Sequence, residues 1–255
     1  MADFDEWCEE EEKEINGHDL TLLTTDDASV EIGIEKLAAI VPEHFIAKDR
    51  YAHILGLLGK LGARDFLREK LPISKSIQSG DLGEVIAINY IEEVTIWDQT
   101  VKRLRWKDHR NMAMRGDDMI AVGIDDQNKT QILKGESKSS VKLQTSIVTT
   151  ARRALNSHDG RPSPHALAFV SDRLYEEGRY DIADRINLAQ QKNGLNINQV
   201  SHMLFTFTGN NSENFLTADL NNYTGTIDQF SVGLRVKNHQ AFIKTVYEKA
   251  LNGQP

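Results

Sequence analysis

A short apolar run from Met119 to Ile124, the turn-forming cluster Asp125-Asp126-Gln127-Asn128, and a second β-rich run from Thr130 to Leu133 constrain this chain more than any other local pattern. Two such runs joined by a short polar turn predict a β-hairpin. In an extended strand, residues two apart share a face. Glu136 and Lys138 therefore point the same way, while Ser137 points to the opposite layer. Asp118, at the mouth of the partner strand, reaches the same spot.

Those residue types suit one chemistry. Two carboxylates, Asp118 and Glu136, with the backbone carbonyl of Ser137 make a hard oxygen site for one or two Mg²⁺ ions, which bind phosphate oxygens and keep some of their waters. A lysine at 138 can position the attacking water or offset charge on phosphorus, as in a metal-dependent phosphodiesterase. Glu-x-Lys alone carries little information in a chain with 27% charged residues, and Glu11-Glu12-Lys13 repeats it in an acidic run. The plainer reading of Glu136 and Lys138 is an exposed, charge-paired hairpin face.

Upstream, Ser79-Gly80-Asp81-Leu82-Gly83-Glu84 leads into the apolar run Val85 to Ile91. Ser79 and Asp81 are candidate caps there, with Glu84 expected in the first helical turn. Glu84 can face the hairpin and hold a metal-bound water or a second metal. Equally, it is an acid favourably placed at a helix N-terminus. After Lys138 a helix is expected from about Val141, with Gln144, Ile147, Val148, Ala151 and Leu155 at helical spacing.

The series GDLGEVIAINYIEE, RGDDMIAVG and LKGESKSS followed by a helix resembles the PD-(D/E)xK restriction-endonuclease-like nucleases. Glu84, Asp118, Glu136 and Lys138 fall at the motif positions. The Pro and first Asp of that name are absent, and Gly116-Asp117-Asp118 stands in their place. Either aspartate can be the ligand; Asp118 is preferred because it directly precedes the strand. Gln144 resembles the Gln that some of these nucleases place after Glu-x-Lys to touch the metal-bound water or DNA, and can equally be a surface residue.

More narrowly, these motifs, the chain length and the stretch HALAFVSDRLYEEGRYD resemble the HamA family, nuclease subunits of the bacterial Hachiman anti-phage defence system. The resemblance in detail covers about residues 79 to 180. It implies a DNA nuclease working with HamB, a superfamily-two ATP-dependent helicase. A stand-alone restriction endonuclease and a non-catalytic partner-binding subunit are the alternatives.

The net charge of −8 looks wrong for a DNA-binding chain until its distribution is read. Residues 1–14 hold eight acids and one lysine, so the rest of the chain is nearly neutral. That run is expected as a solvating, partly flexible tail. Ahead of the first motif strand the balance reverses, with Lys102, Arg103, Arg105, Lys107, Arg110 and Arg115, and Arg152 and Arg153 follow Lys138. Such side chains neutralise phosphates without reading sequence. Trp106 can stack on an unpaired base or simply pack.

The chain is expected to form an α/β, restriction-endonuclease-like mixed β-sheet flanked by helices. An N-terminal accessory α/β region is placed at 15–75 and the nuclease-like core at 76–255. In the former, a strand is expected at Asp19 to Thr24 and helices around Glu31 to Ile40 and Arg50 to Leu71. Gly56, Gly59 and Gly62 lie among leucines and suggest close helix packing; no phosphate-binding Gly-rich motif is present, so no nucleotide is expected on this chain. Further on, the expectations are a buried strand at Pro164 to Val170, a helix from Asp172 to Gln191, a strand at Ser201 to Thr208, a long loop at 209–228 and a helix from Asn238 to Asn252. One cysteine excludes an internal disulfide and fits a reducing cytoplasm, and no apolar run approaches membrane-spanning length.

Overall fold

Seven strands form one mixed sheet in the structure, a computed structural model that describes residues 1–97, 99–114, 116–191 and 194–253. They are β1 (Glu9–Ile15), β2 (His18–Thr24), β3 (Gln99–Thr100), β4 (Met119–Ile124), β5 (Thr130–Ser140), β6 (Val200–Thr208) and β7 (Asp228–Arg235), in the order β1-β2-β7-β6-β5-β4-β3. The β2, β7, β6 and β5 neighbours are parallel, and the pairs at both edges are antiparallel. The helices are α1 (Val30–Phe45), α2 (Lys48–Lys70), α3 (Lys75–Val94), α4 (Thr145–Leu155), α5 (Pro164–Glu176), α6 (Tyr180–Gln191), α7 (Glu213–Asn222) and α8 (His239–Asn252).

Strand alternation sorts the side chains into opposite layers. Met119, Ala121, Leu133, Met203, Phe205, Val232 and Leu234 face a large core with α1, α3 and α8. Their neighbours go the other way: Ile120, Val122 and Ile132 meet α5 and α6, while Leu20, Leu22 and Leu204 meet α4 and α7. Helix α3 is apolar nearly all round from Leu82 to Ile91 because it is enclosed, as a helix without a polar face must be. The expected mixed sheet with flanking helices is therefore present, and the hairpin forms at β4 and β5.

Several expectations are corrected. Residues 1–14 are folded: Phe4 and Trp7 are buried against α1, α3 and α8, and β1 is an edge strand that carries four consecutive glutamates, Glu9 to Glu12. Apolar burial of two aromatics outweighs the repulsion of exposed carboxylates. No break in the sheet falls near residue 75, since the β1–β2 hairpin joins it through β2 and β7. Helix α3 starts at Lys75, so Glu84 lies in its middle and Ser79 and Asp81 are not its caps.

Pro164 to Val170 is helical, not a strand. Ser163 accepts the Ala166 N–H as N-cap, Pro164 takes the first helical turn, and Leu167, Val170, Ser171 and Leu174 bury one face. A five-residue apolar run cannot by itself distinguish the two. Gly178, at φ +78°, lies between α5 and α6 where one long helix was expected. The expected loop at 209–228 contains α7, anchored by the fully buried Leu216 and Leu220, and β7 begins within its last residues.

In α2 Gly56 and Gly59 do not mediate packing, and Gly62 lies close only to Leu58 of the same helix. A side chain at Gly56 or Gly59 would meet no neighbour, Gly59 breaks the helix at φ +68°, and Leu57, Leu58 and Leu61 are exposed. No helix among the described residues is long and apolar enough to cross a membrane.

Candidate active site

The site forms where the hairpin strands part company. Pairing of β4 with β5 stops at Met119 opposite Gly135, whereas β5 continues beside β6 to Ser140. Beyond Gly135 the outer edge of β5 is therefore open to side chains. Asp118 fills it: its Oδ2 accepts the Ser137 N–H at 3.1 Å. The N–H and C=O of one extended residue face the same side, so the Ser137 carbonyl is directed to this edge too.

Glu136 and Lys138 lie on the layer opposite Ser137, and their side chains are paired with each other. Lys138 Nζ also stands 3.9 Å from Asp118 Oδ2. On the other layer α3 comes in close because residue 83 is glycine; a Cβ there would stand 3.1 Å from Ser137 Oγ. That approach brings Glu84, 6% exposed, to the same edge. The three acids predicted from the sequence and Lys138 thus converge.

Arg103 ties the cluster together. It lies on a 3-10 turn, Arg103–Trp106, and is buried. Its Nε and Nη2 donate to the two oxygens of Glu84 at 2.8 Å each, Nη2 also donates to Asp118 Oδ1 at 2.8 Å, and Nη1 donates to the Asp117 carbonyl at 2.9 Å. Sequence reasoning placed Arg103 on DNA; the structure places it among the carboxylates.

Crowding marks the electrostatics. Burial pushes the Glu84 carboxyl up to about 7 even though Arg103 opposes the rise, and Asp118 adds to it. Glu136 is likewise pushed up to about 7, by burial first and then by the Asp118 charge, against the pull of Lys138. Behind them Asp81, three residues before Glu84 on the same helix face, accepts from Lys107 Nζ at 2.6 Å. The spacing of Asp81 and Glu84 on one helix face was legible in the sequence, whereas the pairing of Asp81 with Lys107, 26 residues away, was not.

Asp117 turns away from the cluster. It accepts the Ser163 N–H at 3.0 Å and lies 3.5 Å from the fully buried Lys134 Nζ. Of the two aspartates, Asp118 is the one that shares the edge with Glu84 and Glu136.

Among the described residues no three Asp, Glu, His or Cys side chains stand at metal-holding distance; at this edge Arg103 bridges Glu84 to Asp118 and Lys138 pairs with Glu136. The chemistry nevertheless fits a hard ion: Glu84, Asp118 and Glu136 supply carboxylate oxygens, and the Ser137 carbonyl faces the same edge.

The remaining predicted residues scatter. Gln144 is the N-cap residue of α4, exposed, with no hydrogen bond to the cluster among the described residues. Arg105 donates to the Glu43 carbonyl and to Glu177, each at 2.8 Å. Arg110 donates to the Arg68 carbonyl at 2.8 Å. Arg152 pairs with Asp219 at 2.6 Å and lies over the Tyr223 ring. Trp106 is half-buried, edge-on to Phe169 and covered by Arg173. Arg153 is exposed, and Arg115 lies outside the described residues.

A family model described as HamA matches residues 1–250 of the chain. Hachiman protein HamA from Bacillus cereus is 23% identical over 256 residues, covering 97% of this chain and 90% of that relative. With the model spanning nearly its whole length, the chain belongs to the HamA family.

Proposed function

We propose that this chain is a Mg²⁺-dependent DNA nuclease of an anti-phage Hachiman defence complex, hydrolysing phosphodiester bonds in concert with the helicase HamB. The observation that carries the reading is the convergence of Glu84, Asp118, Glu136 and Lys138 on the one open edge of β5. In this reading Asp118, Glu136 and the Ser137 carbonyl hold one Mg²⁺, and Glu84 serves as auxiliary ligand or binds a metal-held water. When bound, the metal supplies Lewis-acid polarisation of the phosphate and a more acidic water.

The chain's own residues do the rest. Lys138, a quarter exposed, presents an ammonium beside Asp118 and Glu136. There it orients the attacking water and offsets charge developing on the phosphate oxygens. Most of the cations predicted to touch DNA are already engaged in internal pairs. Weak DNA affinity of the isolated chain follows, and a helicase that delivers the strand supplies what is missing.

The test is cleavage of plasmid DNA with Mg²⁺ by wild type and by Glu136→Ala/Lys138→Ala, each with and without HamB and ATP. Cleavage by wild type only, and only with the helicase, is expected. Wild-type cutting without the helicase would favour a stand-alone nuclease, and equal cutting by the double variant would overturn the site.

A further inference from the structure

The Arg103 guanidinium makes at least four hydrogen bonds inside the carboxylate cluster, including both oxygens of Glu84 and one of Asp118. Its side chain is 9% exposed and that of Glu84 is 7% exposed, so solvent screens the pair little. We propose that Arg103 is a built-in counter-cation that competes with a divalent metal for Glu84 and Asp118, holding the metal affinity of the free chain down. This inference rests on the reading of Glu84, Asp118 and Glu136 as metal ligands.

The physical case is one of exchange. Buried carboxylates this close repel one another and need a cation to remain ionised. A planar, permanently charged fork satisfies two of them with directional bonds. Mg²⁺ needs oxygens drawn in to roughly 2.1 Å around a much smaller centre. The guanidinium cannot stay bonded to the same oxygens at that spacing, so the metal must displace it. Arg103 stays protonated throughout, so at Glu84 and Asp118 one cation replaces another.

Arg105 provides the internal control. It lies two residues away on the same turn but bonds to Glu43 and Glu177, outside the cluster. A substitution there removes the same charge without freeing any proposed ligand.

The experiment is a Mn²⁺ titration of the full chain without DNA, with free Mn²⁺ read by electron paramagnetic resonance. Wild type, Arg103→Gln, Arg105→Gln and Arg103→Gln/Glu136→Gln are compared. Losing charge-assisted bonds to the proposed ligands should tighten Mn²⁺ binding by about tenfold in Arg103→Gln. Arg105→Gln should match wild type, and the double variant should lose the gain. A merely structural Arg103 would instead weaken binding when removed.

Equal or weaker binding by a folded Arg103→Gln, or an equal gain in Arg105→Gln, overturns the proposal while leaving the metal site standing. No Mn²⁺ binding by either wild type or Arg103→Gln overturns the metal reading itself. Should Arg103→Gln fail to fold, Arg103→Lys carries the test. It keeps the charge but cannot bridge the same oxygens; a several-fold gain supports the proposal, and no gain overturns it.

Discussion

The sequence carries two lysines on one face of β5, Lys134 and Lys138, and the structure gives them opposite tasks. Lys134 is 1% exposed. Its Nζ donates to the carbonyls of Leu155 at 2.9 Å, Ser157 at 3.0 Å and Arg161 at 3.1 Å, and to Ser157 Oγ at 3.0 Å, with Asp117 at 3.5 Å. It thereby caps the C-terminus of α4 and pins the turn in which His158 and Asp159 both adopt left-handed conformations, at φ 56° and 55°. Lys134→Met keeps the buried methylenes and removes the charge. Breaking a buried, hydrogen-bonded charge while leaving its acceptors in place costs about 3–5 kcal/mol. For a domain of this size that lowers the melting temperature by roughly 10 °C.

The assay is thermal unfolding followed by circular dichroism, beside Lys129→Met in the exposed hairpin turn and Lys138→Met at the site. Lys129→Met should melt within about 2 °C of wild type, as substitutions outside the packed interior usually do, and Lys138→Met, which removes the partner of buried Glu136, should fall between Lys129→Met and Lys134→Met. If Lys134→Met melts with Lys129→Met, the claim that this ammonium holds the α4 terminus is wrong.

Other expectations follow from the same geometry. Glu84 and Glu136, both pushed up to about 7, bind protons more tightly in the folded chain than in the unfolded one. Stability without metal should therefore fall as pH rises from about 4.5 through 7, by denaturant titration. Mn²⁺ affinity should rise over pH 6 to 8, because the metal takes the deprotonated carboxylates. Trp7, stacked between Phe4 and Phe242 and 2% exposed, should cost about 3–5 kcal/mol on change to alanine. A flexible tail would show no loss in the same melt.

How much of this was legible depended on whether the signal was local. Hairpin β4–β5 was readable because its apolar runs and turn are contiguous, and Glu136 and Lys138 because a two-residue spacing fixes a shared face. The helix at 164–176 was not, since a short apolar run fits either period until its cap and burial are known. Phe4 and Trp7 were hidden by the acids around them, and Leu216 and Leu220 by an Asn- and Thr-rich setting.

Sequence alone determined which chemical groups the chain owns: an Asp heading a strand, a Glu-x-Lys in its partner, and a Glu on an apolar helix. Tertiary structure decided how they are used. Only the fork at Gly135 exposes the β5 edge that Asp118 occupies, and only the close approach at Gly83 brings Glu84 to it. Arg103, Lys134 and Lys138 look alike in a charge count. What separates them is which acceptors the fold places within hydrogen-bonding reach, and that depends on contacts between residues far apart in the chain.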